Sequence, residues 1–252
     1  MSGITLNYVL IAWILLAAAV FAALFFINAP YGRYTGRHLG PVLKGRLGWI
    51  IMEAPAPLVF AACILPGLQE ITVTQAVLFV MWEAHYMDRA FIYPMTLRLS
   101  SKPIPVVIVA AGAVFNIMNA YFNGGYLISN SFRYQAGWLS DIRFIIGLAV
   151  FIAGYIINRN SDIILYRLRK DSPSEYSIPQ GGFFRWVSCP NYLGEMMIWT
   201  GWTIATWSPV AAAFTLWTIA NLAPRARAHH KWYRENFEYY PEERRTLLPF
   251  LW

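Results

Sequence analysis

Ionisable and phenolic side chains are concentrated in the stretch 72–97, which is otherwise largely apolar. This stretch carries Glu83, His85, Tyr86, Asp88, Arg89 and Tyr93. Tyr86, Arg89 and Tyr93 are spaced i, i+3 and i+7, so a helix would place them on one face. His85 and Asp88 are spaced i, i+3 and can pair beside that face. Such a cluster can donate hydrogen bonds to a polar group of a bound molecule, and the alternative is a structural network that locks helices together.

Two further acids and one amide stand out in apolar surroundings. Glu53 lies near the start of a second apolar stretch, and Glu195 lies in a third. Asn191 precedes Glu195 by four residues, so a helix would bring the two side chains together. Ser188 is predicted to help cap the start of that helix. Glu195 is either a buried acid satisfied by a neighbour or a ligand contact, and the spacing allows both.

Basic, amide and phenolic groups are also numerous in two segments that follow apolar stretches. The first segment, 158–182, contains Asn158, Asp162, Arg169 and Tyr176. The second contains Arg225, His229 and Tyr233 at i, i+4 and i+8, which a helix would place on neighbouring positions of one face. Arginine binds phosphate through a planar fork of donors, so these segments favour a phosphorylated cofactor. Contact with lipid headgroups is the alternative.

The elements that must position these groups are predicted to be membrane-spanning helices. Of the 252 residues, 58% are hydrophobic and 13% are charged, whereas a soluble domain carries about 25% charged residues. A helix of about 20 apolar residues crosses the hydrocarbon core of a bilayer. Seven such segments are present, at 6–27, 48–65, 72–97, 103–122, 142–158, 191–207 and 210–222. The sequence therefore predicts an all-α integral membrane protein, with residues 1–252 in one domain of seven transmembrane helices.

The distribution of basic residues predicts the orientation of these helices. Of the 20 Lys and Arg residues, 17 fall in the loops and tail on one side of the predicted bundle. The positive-inside rule then places the N-terminus outside and the C-terminus in the cytoplasm. A charge at membrane depth costs roughly 2.5–3.5 kcal/mol, so the acids within the spans should face the bundle interior. The membrane would be a bacterial inner membrane or the endoplasmic reticulum.

Several classes of function are disfavoured. The basic residues lie between apolar runs and form no stripe, so we expect no nucleic-acid partner. No Gly-x-Gly-x-x-Gly follows a strand, which excludes a Rossmann domain. His229 and His230 are adjacent and cannot both face one metal from a helix, so we expect no metal site. Cys63 and Cys189 supply no metal motif and are predicted to remain free thiols. No feature indicates an obligate protein partner.

Several motifs resemble those of steroid 5α-reductases. In the C-terminal half these are YSIPQGGFF at 176–184, VSCPNYLGE at 187–195, ATWS at 205–208, NLAPRARAHHKWY at 221–233, FEYYP at 237–241 and RRTLLPF at 244–250. Upstream, the residues that match are His85, Tyr86, Arg89, the run FIY at 91–93, Asn158, NSD at 160–162 and LRK at 168–170. The resemblance covers most of the chain and is weakest before Gly45.

The resemblance implies a seven-helix membrane reductase that binds NADPH from the cytoplasmic side. It implies hydride transfer to the β-carbon of a 3-oxo-4-ene steroid or a related lipid enone, which enters from the surrounding membrane lipids. By motif, Glu53 and Tyr86 would hydrogen-bond the carbonyl oxygen of the substrate. The cofactor site would be lined by Asn158, Asp162, Arg169, Tyr176, Asn191, Glu195, Arg225, His229 and Tyr233.

The sequence departs from the family pattern at three positions. Met52 stands where the steroid enzymes usually have Gln before the substrate-side Glu, Asp88 replaces a common His, and Ala228 shortens a His run. The first departure bears most on the substrate, so enoyl-thioester and polyprenal lipids stay open as alternatives. Methyl transfer from S-adenosylmethionine also stays open, because membrane methyltransferases resemble the C-terminal bundle.

Overall fold

The computed structural model describes residues 3–26, 40–67, 69–96, 103–171 and 176–252. These residues are mostly helical. The helices are α1 (Gly3–Phe26), α2 (Gly45–Glu53), α3 (Pro55–Ile64), α4 (Val73–Met87), α5 (Tyr93–Thr96), α6 (Val106–Ser129), α7 (Ile142–Asp171), α8 (Pro190–Thr206) and α9 (Pro209–Asn236). Two short strands, β1 (Val42–Leu43) and β2 (Ile104–Pro105), pair antiparallel.

The chain divides into two compact units. We call Met1–Ala29 with Ile146–Trp252 the terminal unit, and Pro30–Ile145 the central unit. Each unit has its own buried core. Trp199, Trp202 and Phe184 are fully buried in the terminal unit, and Phe60 and Trp82 are fully buried in the central unit.

In the central unit, the strand pair holds the starts of two helices together. Val42 pairs with Pro105 and Leu43 with Ile104, immediately before α2 and α6. Helices α2 and α3 then run alongside α6 in the same direction, because a Cβ at Gly48 would touch Val109 and a Cβ at 124 would touch Cys63. These helices correspond to the second and fourth predicted spans, which would cross the membrane in the same direction.

Helix α4 begins at a capping box and is interrupted near its end. Thr72 Oγ1 accepts a hydrogen bond from the backbone N–H of Gln75, and Gln75 Oε1 accepts one from the backbone N–H of Thr72, so two backbone donors are satisfied. The helix continues as a π-helical turn over Asp88–Ile92 before α5. A π turn inserts one residue and changes the face that later side chains occupy. Arg89 still reaches Tyr93, with its guanidinium 4.2 Å from the ring centroid.

In the terminal unit, α8 and α9 form a tight hairpin, as the Ser-Pro pair predicts. Ser208 caps α9 by accepting from the backbone N–H groups of Val210 and Ala211. Trp207 closes α8 in the left-handed conformation, with φ of 48°. Helix α1 runs along α9 in the same direction. Trp217 donates to the carbonyl of Trp13 at 3.0 Å, and further along both helices the Arg227 guanidinium lies 5.4 Å from the Phe25 ring centroid.

The helical prediction is confirmed in outline, and the chain is an all-α membrane protein. Within the described ranges, four segments are long and apolar enough to cross a membrane: Tyr8–Phe26, Gly45–Gly67, Val106–Ser129 and Ile142–Lys170. The other three predicted spans are helical as well, but α4 has 15 residues and α8 has 17. Residues 27 and 97, at the ends of two predicted spans, lie outside the described residues.

Three helices extend well beyond their predicted spans. Helix α6 continues to Ser129, α7 to Asp171 and α9 to Asn236. The segment 159–170, predicted as part of a loop, is therefore helical. Its residues are polar, but Arg, Leu, Lys and Ile are compatible with a helix once the apolar part has nucleated it. Asp162 and Arg169 consequently lie on the same helix as Asn158.

Candidate active site

In the terminal unit, α7 and α8 approach each other closely at several glycines. A Cβ at Gly154 would lie 2.7 Å from the carbonyl oxygen of Gly194, and a Cβ at Gly201 would lie 2.4 Å from the backbone nitrogen of Phe151. A Cβ at Gly194 would lie 2.5 Å from the backbone nitrogen of Asn158. Small residues of this kind let two helix backbones approach closely. The approach brings Asn158 directly against the start of α8.

Asn158, Asn191 and Glu195 form one hydrogen-bonded cluster at this contact. Asn158 Nδ2 donates to the carbonyl oxygen of Asn191 at 2.9 Å and to Glu195 Oε2 at 3.1 Å. Trp199 Nε1 donates to Glu195 Oε1 at 2.9 Å. The prediction that Glu195 is a satisfied buried acid and the prediction that it belongs to a ligand site are thus compatible. Asn158 is 5% exposed, so the cluster is shielded from water on the α7 side.

Arg225 and His229 meet at Tyr192. The hydroxyl of Tyr192 lies 3.3 Å from His229 Nε2, and the guanidinium of Arg225 lies 5.7 Å from the Tyr192 ring centroid. Pro224, inside α9, is buried next to Arg225. Burial lowers the pKa of Arg225 to about 10, so its side chain stays cationic at neutral pH. An anion would therefore find a fixed positive charge here.

Tyr176 and Tyr233 lie on two sides of one tryptophan. The Tyr176 ring is 5.1 Å from the Trp232 ring, and the Tyr233 ring is 5.5 Å from it. Tyr233 is buried and stacks on Tyr240 at 5.3 Å. Tyr176 is exposed by 43%, which leaves its phenol accessible to a ligand.

Asp162 and Arg169 extend the same side of α7 beyond Asn158. The spacing of i, i+4 and i+11 places the three on one face, with Arg169 about 16 Å along the helix axis from Asn158. Asp162 is buried and Arg169 is exposed. The loop at Gly182 lies against this part of α7, because a Cβ there would be 2.6 Å from Asn160 Oδ1. The face thus runs from a buried amide to an exposed cation.

Sequence reasoning missed a second polar network in the terminal unit. Ser188 Oγ lies 2.6 Å from both His230 Nδ1 and the hydroxyl of Tyr240, and 3.1 Å from the carbonyl oxygen of Arg245. The prediction that Ser188 caps α8 is wrong: the N-cap residue is Cys189, and it makes no side-chain capping bond. Ser188 Oγ bonds to residues distant in the sequence instead of to the backbone N–H groups at the start of α8. Arg244 joins the same region by donating to the carbonyl of Pro179 at 3.2 Å.

This network should make the terminal unit sensitive to acid. Burial, together with Arg234, Arg244 and Arg245, lowers the pKa of His230 below its ordinary value of 6.5. The folded state then binds fewer protons than the unfolded chain, so the free energy of unfolding falls as the pH drops through about 6.5. We expect the thermal unfolding midpoint in detergent to fall from pH 7.5 to 5.5, and to fall less in His230→Asn. Equal pH dependence in the two proteins would contradict the assignment.

In the central unit, Glu53 is held by a residue that sequence reasoning also missed. Asn116 Nδ2 donates to the carbonyl oxygen of Met52 at 2.8 Å and to Glu53 Oε2 at 3.3 Å. Asn116, Asn119 and Asn123 are buried along one face of α6. The signal that could have revealed this face is the spacing of the three asparagines, at i, i+3 and i+7 in an otherwise apolar helix.

Tyr86 is fixed by aromatic packing. It is 3% exposed, and its ring lies 4.9 Å from Trp82 and 5.1 Å from His85. The π-helical turn begins two residues later, and there Trp49 Nε1 donates to the carbonyl of Arg89 at 3.0 Å. Helix α2, which ends at Glu53, therefore packs against the turn that follows Tyr86.

The structure groups the predicted site residues into several contacts. Asn158, Asn191 and Glu195 are joined directly, Arg225 and His229 meet at Tyr192, and Tyr176 and Tyr233 flank Trp232. Asp162 and Arg169 share a helix with Asn158 but lie further along it. Glu53 and Tyr86 belong to the central unit, each on its own helix.

Comparison with known proteins identifies the family. The family model described as 3-oxo-5-alpha-steroid 4-dehydrogenase matches residues 102–252. The chain is 38% identical to steroid 5-alpha-reductase DET2 of Arabidopsis thaliana over 98% of its length and 96% of the relative. It is 39% identical to 3-oxo-5-alpha-steroid 4-dehydrogenase 2 of Sus scrofa, covering 94% and 93% of the two chains. It is 36% identical to the human type 1 enzyme, covering 99% and 98%. The chain therefore belongs to the steroid 5α-reductase family of oxidoreductases.

Proposed function

We propose that this protein reduces the carbon–carbon double bond of a 3-oxo-4-ene steroid, or of a related lipid enone, with NADPH. Family membership supports the reaction class and favours a reductase over a methyltransferase. The observation that carries the proposal is the Asn158, Asn191 and Glu195 cluster at the α7–α8 contact. It presents amide groups beside the half-buried Glu195 carboxylate, at one end of a face that ends in the exposed Arg169.

The groups in the terminal unit fit NADPH. Within the described part of the chain, the Asn191 side-chain amide and Asn158 Oδ1 make no hydrogen bond to another residue. An amide offers both a donor and an acceptor, so these two side chains suit the carboxamide of a nicotinamide ring. We propose that Glu195 helps to anchor this end of the cofactor. When bound, NADPH supplies the hydride for the β-carbon of the enone.

The remaining residues of the proposed cofactor site would bind the polar parts of the dinucleotide. Arg169 and Arg225 are the proposed phosphate ligands, because a guanidinium offers several donors in a fork that matches a phosphate. Arg225 is half-buried, with its guanidinium 5.7 Å from the Tyr192 ring centroid, so fewer water molecules would compete with a phosphate for it. Further contacts are proposed for Asp162, Tyr176, His229 and Tyr233.

Glu53 and Tyr86 are proposed to hold the carbonyl oxygen of the enone. Negative charge builds on this oxygen as the β-carbon is reduced, and donors aimed at it stabilise the transition state. The Tyr86 phenol is such a donor, since a phenolic O–H can donate a hydrogen bond. A protonated Glu53 carboxyl is the second donor. The fixed ring of Tyr86 and the bond from Asn116 to Glu53 hold both groups in place before the substrate binds.

We also propose that both units belong to one reductase domain with seven spans, its N-terminus outside and its C-terminus in the cytoplasm. Helix directions within each unit support this topology: α2–α3 is parallel to α6, α1 is parallel to α9, and α7 is antiparallel to α8. The proposed partners are a steroid or lipid substrate and the bilayer lipids. The membrane would be a bacterial inner membrane or the endoplasmic reticulum.

The test is NADPH consumption by the purified protein with a panel of enones that includes progesterone and testosterone. We expect oxidation of NADPH to require the enone, and we expect the product to have lost the 4-ene double bond. Heat unfolding should be shifted upward by NADPH more than by NADH or S-adenosylmethionine. Protection by S-adenosylmethionine alone, with no enone reduced, would overturn the proposal in favour of methyl transfer.

A further inference from the structure

Helix α2 ends at Glu53 because two prolines follow it. Pro55 and Pro57 have no N–H, so carbonyl groups four residues before them have no helical donor. At this break, Asn116 of α6 donates to the carbonyl oxygen of Met52 at 2.8 Å and to Glu53 Oε2 at 3.3 Å. The prolines deprive the carbonyl groups of Ile51 and Glu53 of an N–H donor four residues later, and between them a side chain from a different helix bonds to the Met52 carbonyl and to the Glu53 carboxyl group.

Packing fixes the position of Asn116. The side chain is 6% exposed, and a Cβ at Gly112, one turn earlier, would lie 2.4 Å from Met52 Cγ. The end of α2 thus lies close against α6, where a larger residue at 112 would require the Met52 side chain to move. The orientation of the Asn116 amide is fixed too, because the Met52 carbonyl can only accept a hydrogen bond. The NH₂ group must face it, and with it Glu53.

We infer that Asn116 is a positioning residue that confines the proton of Glu53 to Oε1. An amide NH₂ donates and cannot accept, so Glu53 Oε2 must be the accepting oxygen. A protonated carboxyl has one O–H, and its carbonyl oxygen is the stronger acceptor, so the bond from Asn116 favours Oε2 as the carbonyl oxygen and places the O–H on Oε1. Oε1 is the oxygen that donates to the enone carbonyl, so Asn116 sets the direction of that donation. The inference rests on the proposed function, in which Glu53 holds the substrate oxygen.

The contact between Asn116 and Glu53 can be tested by mutation, because few other ionisable groups lie on the neighbouring helices. Among the described elements that contact α6, α2 carries Arg46 and Glu53 and α3 carries Cys63. Helix α4, whose Gln75 donates to the Leu127 carbonyl of α6, carries Glu83, His85 and Tyr86. Helix α6 itself carries Tyr121 and Tyr126. Glu53 is the acid in hydrogen-bond contact with position 116, so an acid placed there would titrate against it.

Two substitutions test the role of Asn116. Asn116→Leu keeps the size and removes the donor, and we expect kcat to fall about tenfold, the effect of one net hydrogen bond in the transition state, with little change in KM. Asn116→Asp can donate to Oε2 only while protonated. Its kcat should therefore fall as the pH rises, through a limb that neither the wild type nor Asn116→Leu shows.

A spectroscopic readout tests the same bond without turnover. The carbonyl stretching band of protonated Glu53, identified by its loss in Glu53→Gln, should move to higher frequency in Asn116→Leu because Oε2 loses its donor. Asn119→Leu is the matched control, since Asn119 is buried one turn further on α6 and bonds to Asn123, and it should leave the band in place.

The outcomes separate this inference from the proposed function. An active wild type in which Asn116→Leu keeps normal kcat and an unmoved band overturns the inference alone. Absence of a protonated Glu53 band in the wild type also overturns it. A wild type that reduces no enone overturns the proposed function, whereas a shifted band in Asn116→Leu would still support the bond between Asn116 and Glu53.

Discussion

Replacing Tyr86 by Phe is expected to lower kcat by about 10²–10³ while NADPH still binds. Loss of a single donor to a developing oxyanion has an effect of this size. The ring should keep its place, because its packing against Trp82 and His85 does not involve the hydroxyl group. The measurements are the initial rate of NADPH oxidation with a saturating enone and the affinity for NADPH by calorimetric titration.

Tyr121→Phe is the matched control for Tyr86→Phe. Tyr121 is 55% exposed on α6, so loss of its hydroxyl should leave both kcat and NADPH affinity unchanged. Normal turnover in Tyr86→Phe would remove Tyr86 from the substrate site. A parallel loss of NADPH affinity would show instead that the substitution has disturbed the fold.

Replacing Gly194 by Ala is expected to weaken both the fold and cofactor binding. A Cβ there would lie 2.5–2.8 Å from Asn158 N, Gly154 O and Asn158 Cα. All three are backbone atoms, so no rotamer change can relieve the overlap, and α7 and α8 must separate. Overpacking of this kind costs about 1–3 kcal/mol. Separation should also break the bonds from Asn158 to Asn191 and Glu195, and we expect NADPH affinity to fall tenfold or more, which is about 1.4 kcal/mol.

Gly125→Ala provides the comparison for Gly194→Ala. Gly125 is also in a helix, but a Cβ there would meet no atom within 4 Å, so alanine should be neutral or slightly stabilising. Thermal unfolding and NADPH titration of the two variants test the contact. If Gly194→Ala matched Gly125→Ala in both measurements, the close approach of α7 and α8 would not be needed for the site.

Spacing along the sequence predicted part of the cluster formed by Asn158, Asn191 and Glu195. Asn191 and Glu195 are one turn apart, so their proximity follows from helix geometry alone. The bonds from Asn158 join residues more than 30 positions apart and depend on how closely α7 and α8 approach. The glycines at 147 and 154, opposed by those at 194 and 201, are the sequence signal for that approach. Each pair is spaced by seven residues, which returns to the same helix face.

Other features depended on packing that no local pattern encodes. Ser188 has the chemistry of a helix cap, but His230 and Tyr240 offered it stronger tertiary partners. The π-helical turn after Met87 shifts the faces of a helix whose sequence reads as regular. The length of α7 and α9 was underestimated because hydropathy marks the part of a helix within the bilayer and not where its backbone bonding ends.

The pairing of Val42–Leu43 with Ile104–Pro105 has a consequence for how the chain is made. The two strands are separated by about 60 residues, so a ribosome must deliver both α2 and α4 before the partner strand exists. Loops of that length close at only a modest entropic cost. The strand pair should therefore form only after the membrane-crossing segments Tyr8–Phe26 and Gly45–Gly67 and helix α4 have been synthesised, and it should then fix the relative height of α2 and α6 in the bilayer.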